Sequence, residues 1–269
     1  MPELPEVENI RRYLLRSRIV GRRIVKASVE WPRMVKSADF EGFVTGVIGR
    51  RIAGVDRHGK YLSLPLDTGW LGLHMGMTGS VRVAAPVDPP ERFIRAEFRL
   101  DDDRRIELID PRKWASLWLA GDPSEITGGL GPDATDPAVT RAVFTRTVKR
   151  RAAPIKQVLL DQATIAGIGN IYADEALFIA RIDPRRRAAT ISEARLGDLY
   201  EAIHTSLNHA LRHIEEHPMS DGRPYVVDAY DDRMRLPRRE GSPCPRCSKQ
   251  LRRHAFGNRS SYYCPGCQR

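Results

Sequence analysis

Cys244-Pro-Arg-Cys247 and Cys264-Pro-Gly-Cys267 contain every cysteine of this chain and close its sequence in the pattern C-x2-C-x16-C-x2-C. Each C-x2-C pair forms a knuckle whose two sulfurs converge on one point, and the stretch between the pairs returns as a hairpin. This spacing predicts a tetrahedral site for one Zn2+ per chain, bound by Cys244, Cys247, Cys264 and Cys267. Four thiolates fill the coordination shell and leave no position for water, so the metal is structural. Two disulfides are the other reading of four cysteines, and the lack of a secretory signal weighs against it.

Upstream of the finger, His217–Gly241 has no hydrophobic period and reads as a charged loop. Before it, Thr190-Ile-Ser-Glu193 matches a capping box ahead of a long apolar stripe of Leu196, Leu199, Ile203, Leu207, Leu211 and Ile214. Pro154–Asp161 and Ile171–Ala180 read as two short helices. Between them lies Gln162-Ala-Thr-Ile-Ala-Gly-Ile-Gly-Asn170, where Gly167 and Gly169 permit a tight turn. Pro137–Arg150 is a further helix, and Gly121–Pro137, rich in Gly, Pro, Asp and Thr, is a linker. From Ile24 to Trp118 the texture is short β-type runs, with Leu62-Leu64-Leu66 and Ile94-Ala96-Phe98-Leu100 alternating at period two. Glu6–Val20 is an amphipathic helix. The sum is an α+β chain. A β-sandwich or barrel with an amino-terminal helix, the sandwich being the leading expectation, spans 2–120, a linker 121–137, a helical domain 138–240 and a β-hairpin zinc finger 241–269.

The chain has 269 residues, enough for about two domains, and 41% hydrophobic residues supply their cores. No apolar run is long enough for a membrane span. Arg11, Arg12, Arg16 and Arg18 interrupt any apolar signal region, which points to the cytoplasm or nucleoid. Lys and Arg total 44 against 34 Asp and Glu, a net charge of +10. That excess favours a polyanionic partner through phosphate neutralisation, and the spread of basic runs makes nucleic acid the favoured one. At the opposite end, Met1-Pro2-Glu3 carries its own chemistry. Removal of Met1 frees a secondary amine of pKa about 7.7–8 that forms an iminium directly with a sugar C1′, and Glu3 is a carboxyl beside it for proton transfer. Taken alone, Met-Pro is a common start and most such prolines do no chemistry.

Six stretches in register change that weighting: Pro2-Glu-Leu-Pro-Glu-Val7, His58-Gly-Lys60-Tyr-Leu62, His74-Met-Gly-Met-Thr-Gly79, Asp110-Pro-Arg112, Gly167-Ile-Gly-Asn-Ile-Tyr-Ala-Asp-Glu175 and the four-cysteine finger. Together, over nearly the whole chain, they resemble the formamidopyrimidine-DNA glycosylases, bifunctional base-excision repair enzymes. The resemblance implies a helix–two-turn–helix motif around Asn170, and damaged double-stranded DNA in the cleft between two domains of a monomer. Pro2 would attack C1′ and expel the base, Glu3 would protonate the sugar ring oxygen, and β- and δ-elimination would follow. Lys60 matches a lysine for proton transfer or phosphate contact, and Arg259 the finger arginine that grips phosphate. Asn170, Arg151 and Lys156 match DNA-backbone contacts. Met77, Arg112 and Trp114 match the three residues that fill the void left by an everted base.

Several positions depart from the family pattern. Asn258 precedes Arg259 in place of the usual glycine, Ser261 follows it in place of threonine, and Trp114 replaces phenylalanine. Phe93 stands where the family has a DNA-contacting histidine, with Arg95 as the expected substitute. Met234-Arg-Leu-Pro-Arg-Arg-Glu-Gly241 lacks the family's Val-Tyr-Gly-Arg approach to the finger, in the region that closes over an oxidised purine. The leading expectation is excision of formamidopyrimidines and 8-oxoguanine with cleavage of the abasic site. An endonuclease VIII-like preference for oxidised pyrimidines or abasic sites, and a non-catalytic damaged-DNA-binding finger protein, are the rival expectations.

Overall fold

The computed structural model describes residues 2–37, 39–217, 219, 223–224 and 234–269. It divides into two compact units, Met1–Gly129 with Ile214–Val227, and Leu130–His213 with Asp228–Arg269. No helix among the described residues is long and apolar enough to cross a membrane.

The first unit is built on two four-stranded antiparallel sheets. One runs β1 (Ile24–Val29), β6 (Ile94–Leu100), β7 (Arg105–Ile109), β5 (Ser80–Ala84). The other runs β2 (Asp56–His58), β3 (Tyr61–Pro65), β4 (Trp70–His74), β8 (Ser116–Ala120). Inward residues of both sheets share one core, including Phe98, Ile106 and Leu108 from the first and Leu62, Leu64, Leu73 and Leu117 from the second. The period-two reading of β3 is incomplete, because Ser63 is buried along with Leu62 and Leu64. A short helix, α3 (Ser124–Thr127), lies in the stretch expected to be a linker. It packs Ile126 so closely on Gly72 of β4 that a Cβ there would sit 2.9 Å from its Cδ1.

Helix α1 (Leu4–Arg16) begins earlier and ends sooner than its apolar stripe suggested, and it is amphipathic only in its second half. Residues Leu4 to Ile10 are buried on every side. Glu3 and Glu6 close its N-terminus as a capping box, with Glu3 N–H donating to Glu6 Oε2 at 2.9 Å and the Glu3 carboxylate accepting from the N–H of Glu6. Helix α2 (Phe40–Val47) was not expected, since two glycines, a threonine and two valines in eight residues give it poor intrinsic propensity. The Asp39 carboxylate caps it through Glu41 N–H at 3.2 Å and Gly42 N–H at 2.9 Å, and Phe43 and Val47, one turn apart, bury against the sheets.

The second unit carries α4 (Arg141–Lys149), α5 (Ile155–Leu160), α6 (Asn170–Ile179), α7 (Glu193–Glu216) and the hairpin β9 (Arg252–Phe256)–β10 (Arg259–Tyr263). Leu196, Leu199, Ile203, Leu207 and Ile214 of the expected stripe are buried along α7. The cap of this helix is Ser192, whose Oγ accepts Arg195 N–H at 3.4 Å. Thr190 instead ends a 3₁₀ turn and bonds back to Arg187 O, so the capping box expected there does not form. Gly167, at φ +103, needs its glycine, whereas Gly169 is extended and caps α6. Much of the 217–241 loop lies outside the described residues; its end, Met234–Gly241, is described and anchored.

Glu8 joins α1 to the β2–β3 hairpin. It accepts from Arg11 and Arg12 on its own helix at 2.9 Å, and from Arg57 Nε at 3.1 Å. Burial alone would raise its carboxyl, but the three guanidinium partners outweigh that and hold it down at about 2, from a usual 4.5. A depressed carboxylate stabilises the fold above its unfolded pKa and loses that contribution as pH falls. The pH window is therefore from about 4.5 down to about 2. Glu8→Gln is expected to cost about 1–2 kcal/mol at neutral pH after allowing for solvent screening. Urea titrations at pH 7, 4 and 3 should show this gap from the native protein closing as acid is added.

Candidate active site and nucleic-acid interface

Pro2 is buried at the N-terminal end of α1, and Glu3, 1% exposed, is fixed by its capping box with Glu6. Lys60 follows Gly59, at φ +57, in the β2–β3 turn, and is itself buried at 6% exposure. Arg57 spans the gap between these elements: its Nε holds Glu8 of α1 and its Nη1 donates to Gly59 O at 2.9 Å. The first unit thus ties the helix that follows Pro2 and Glu3 to the turn that carries Lys60.

His74, unassigned by sequence reasoning, belongs to this group. It pairs with Tyr61 across β3 and β4, and its Nδ1 accepts Gly76 N–H at 3.1 Å. Burial first, then the charge of Lys60, push its pKa down to about 4 from 6.5. His74 is therefore neutral at physiological pH, with its proton on Nε2.

Met77, Arg112 and Trp114 all reach the surface of the same unit. Met77 is 38% exposed and Trp114 56%, and the Arg112 guanidinium lies 5.7 Å from the Trp114 ring. Arg95 does not take over the role expected at Phe93. It is buried, donates through Nε to Asp110 O at 3.0 Å, and pairs through Nη1 with the exposed Glu30 at 2.7 Å, so both ends of its guanidinium are engaged within the protein.

In the second unit Asn170 and Arg259 are brought together. Asn170 is the first residue of α6, not a residue of the preceding turn, and its Nδ2 donates to Ser260 O at 3.0 Å. The residue before Ser260 is Arg259, exposed at the start of β10 beside the turn Gly257-Asn258. Gly257, at φ +55, takes the strained place in this two-residue turn, so Asn258 does not need to be glycine. Arg259 lines a shallow groove of about 320 Å³ with Gln157, Leu160, Asp161, Phe256 and Asn258. Arg151 is on the surface and pairs with Asp161 at 3.4 Å.

Lys156 corrects the expectation of a surface contact. Its side chain is fully buried, its ammonium pairs with Asp174, and it donates to Asn170 O at 2.7 Å. Asp174, also buried, receives Arg238 Nη1, the Ser261 hydroxyl and Tyr262 N–H at 3.2 Å as well. A hydroxyl is all that Asp174 asks of position 261, which serine supplies as well as threonine. Glu175 accepts Arg235 N–H and Leu236 N–H at 2.9 and 3.0 Å, which anchors the unusual approach to the finger.

The four cysteine sulfurs lie within 4.8 Å of one another. Sγ–Sγ separations are 3.9 Å for Cys244–Cys267 and 3.5 Å for Cys247–Cys264. A Zn–S length of about 2.3 Å sets a tetrahedral edge near ~3.8 Å, so the donor set fits one structural zinc.

Three family models cover the chain. The formamidopyrimidine-DNA glycosylase N-terminal domain matches residues 1–117, the H2TH domain of the same enzymes matches 130–218, and a zinc finger found in FPG and IleRS matches 241–269. A formamidopyrimidine-DNA glycosylase of Pelotomaculum thermopropionicum is 37% identical over 278 residues, covering 100% of this chain and 99% of the relative. Among solved structures, a Lactococcus lactis FPG mutant in complex with Fapy-dG-containing DNA superposes with a TM-score of 0.87, at 29% identity and 99% coverage of both chains. MutM in complex with carbocyclic 8-oxo-G-containing DNA matches with the same TM-score at 30% identity, again covering 99% of both chains. Its relatives, and the three domain models in order along it, show that this chain belongs to the formamidopyrimidine-DNA glycosylase family.

Proposed function

We propose that this glycosylase excises oxidised purines, formamidopyrimidines and 8-oxoguanine, through a Schiff base on Pro2, and then cleaves the abasic site. The observation that carries this reading is the placement of Pro2 and Glu3 at the N-terminus of a helix buried through its first two turns. Once Met1 is removed, the Pro2 amine sits against the positive end of that helix, which favours its neutral, nucleophilic form. Attack of the Pro2 nitrogen at C1′ displaces the base, which leaves with the bonding pair and is protonated by water. The proton that the Pro2 nitrogen sheds passes by way of Glu3 to the ring oxygen, and the C1′–O4′ bond breaks as the iminium forms. The resulting iminium acidifies the C2′ hydrogens. Loss of one drives β-elimination of the 3′ phosphate, and δ-elimination then releases the 5′ phosphate. Lys60, buried in the neighbouring turn, serves proton transfer in these later steps.

Arg259 and Asn170 hold backbone phosphates, the first as a guanidinium fork and the second through its amide and the N–H groups at the start of α6. Arg151 adds a surface charge. Lys156 acts from inside, by fixing Asn170. Met77, Arg112 and Trp114 enter the base stack as the damaged nucleotide leaves it. The protein works on double-stranded damaged DNA as a monomer, in the cytoplasm or on the nucleoid. Zinc holds the shape of the finger and takes no chemical part.

Borohydride with abasic-site duplex should trap a covalent adduct equal in mass to protein lacking Met1 plus DNA. Absence of that adduct from protein shown by mass spectrometry to begin at Pro2 would refute the lyase reading and leave a damaged-DNA-binding protein. A duplex panel should show excision of formamidopyrimidine and 8-oxoguanine ahead of oxidised pyrimidines. The reverse order would move the enzyme to the endonuclease VIII-like preference. Cys264→Ser should lose zinc and weaken DNA binding by roughly tenfold or more together, because a structural site couples metal to folding. Metal analysis beside a binding isotherm checks this, and unchanged affinity without zinc would contradict it.

A further inference from the structure

Three loops of the first unit meet at Asp110, which is 0% exposed at the end of β7, and two of them bind its carboxylate. Its Oδ1 accepts the Thr78 hydroxyl at 2.6 Å and Arg112 N–H at 3.1 Å. Its Oδ2 accepts Ala115 N–H at 2.7 Å and Trp114 N–H. The Asp110 backbone binds a third loop, donating to Phe93 O at 3.0 Å and accepting Arg95 Nε at 3.0 Å. Each loop holds one residue at positive φ: Gly76 at +59°, Phe93 at +69° and Lys113 at +60°. For phenylalanine and lysine that conformation is unfavourable and persists only where the surroundings impose it. Gly76 also lies directly on the second loop, where a Cβ would stand 2.4 Å from Trp114 O. Each loop presents one exposed apolar side chain, namely Met77, Phe93 and Trp114.

We propose that Asp110 is the positioning residue for base eversion, setting the Met77 turn and the Arg112–Trp114 turn as one rigid wedge. The inference rests on the reading of Met77, Arg112 and Trp114 as void-filling residues in a Pro2-dependent enzyme. Separating a base from its stack costs free energy that the protein must supply. A wedge on a loose loop yields before the base does, whereas two loops keyed to one carboxylate move together or not at all. Both oxygens of Asp110 are acceptors facing N–H and O–H donors, so an amide cannot replace the carboxylate. The NH2 of asparagine would confront either Trp114 and Ala115 N–H or Arg112 N–H. Asp110 touches neither sugar nor phosphate in this proposal, and an abasic site has no base to evert.

The test compares zinc-loaded full-length Asp110→Asn and Thr78→Val with the native protein in three measurements. These are single-turnover excision of 8-oxoguanine, cleavage of a preformed abasic site, and fluorescence of 2-aminopurine placed beside the lesion. Thr78→Val removes one donor at nearly constant volume, so it remains informative if Asp110→Asn folds poorly. Both variants should slow excision by roughly tenfold or more, keep most abasic-site cleavage, and lose the 2-aminopurine rise that reports unstacking. Equal loss of excision and abasic cleavage, or no loss of excision, overturns the assignment. If the native protein cuts neither substrate, the Pro2 reading fails by itself. The 2-aminopurine signal then still decides Asp110, because unstacking precedes any bond breaking.

Discussion

The second unit depends on the ion pairs of Asp174. A carboxylate with no solvent exposure pairs with the ammonium of Lys156, from α5, and the guanidinium of Arg238, from the approach to the finger. It also accepts the Ser261 hydroxyl and the Tyr262 amide of β10. Breaking such a pair on one side leaves uncompensated charge in the interior, at a cost of about 3–5 kcal/mol. Four chain segments remote in sequence are therefore held to one point. Zinc and Asp174 divide the work on the finger. The metal fixes the fold of the hairpin, and the carboxylate fixes where the hairpin sits against α6, which puts Arg259 one residue from the Asn170–Ser260 hydrogen bond.

The same device recurs in the first unit. Glu8 collects Arg11, Arg12 and Arg57, Glu3 and Glu6 close the start of α1, and Asp110 gathers three loops. A chain of net charge +10 is thus internally organised by its minority charge. Acidic side chains pair inward and consume selected cations, Lys156, Arg57 and Arg238 among them. Arg259 stays exposed at the surface, and the proposed reading assigns it to phosphate. Counting basic residues identifies a polyanionic partner, but the buried acids determine which of those residues can meet it.

This explains what the sequence made legible and what it did not. The cysteine spacing, the stripe of α7 and the order of β and α segments are signals carried by short-range periodicity, and the fold follows them. Helix α2 and the cap of α7 escaped because tertiary packing and one side chain, Asp39 or Ser192, outweigh propensity and motif. The burial of Lys156 and Arg95 is invisible in sequence for a different reason. A basic residue looks the same in sequence whether its partner is a phosphate or a carboxylate 18 or 65 positions away. His74 was overlooked because its character comes from burial and from Lys60, and neither shows in the letters His-Met-Gly-Met.

Phosphate contacts and apolar wedges contribute different things to lesion search. On the proposed reading, Arg259, Asn170 and Arg151 face a backbone that is the same at every nucleotide, so their contribution is affinity without discrimination. Met77 and Trp114 leave apolar surface in water in the free protein, which adds nothing to its stability. That surface gains only where a base step opens, and an aromatic ring stacked on a base contributes on the order of 1–3 kcal/mol. Damaged or mispaired bases are cheaper to open than sound ones. A rigid wedge passes that difference into the population of everted nucleotide, while a compliant one absorbs it in its own loops. On the proposed reading, selection of damage therefore begins before any group reads the everted base, in the stiffness with which Asp110 holds the loops together.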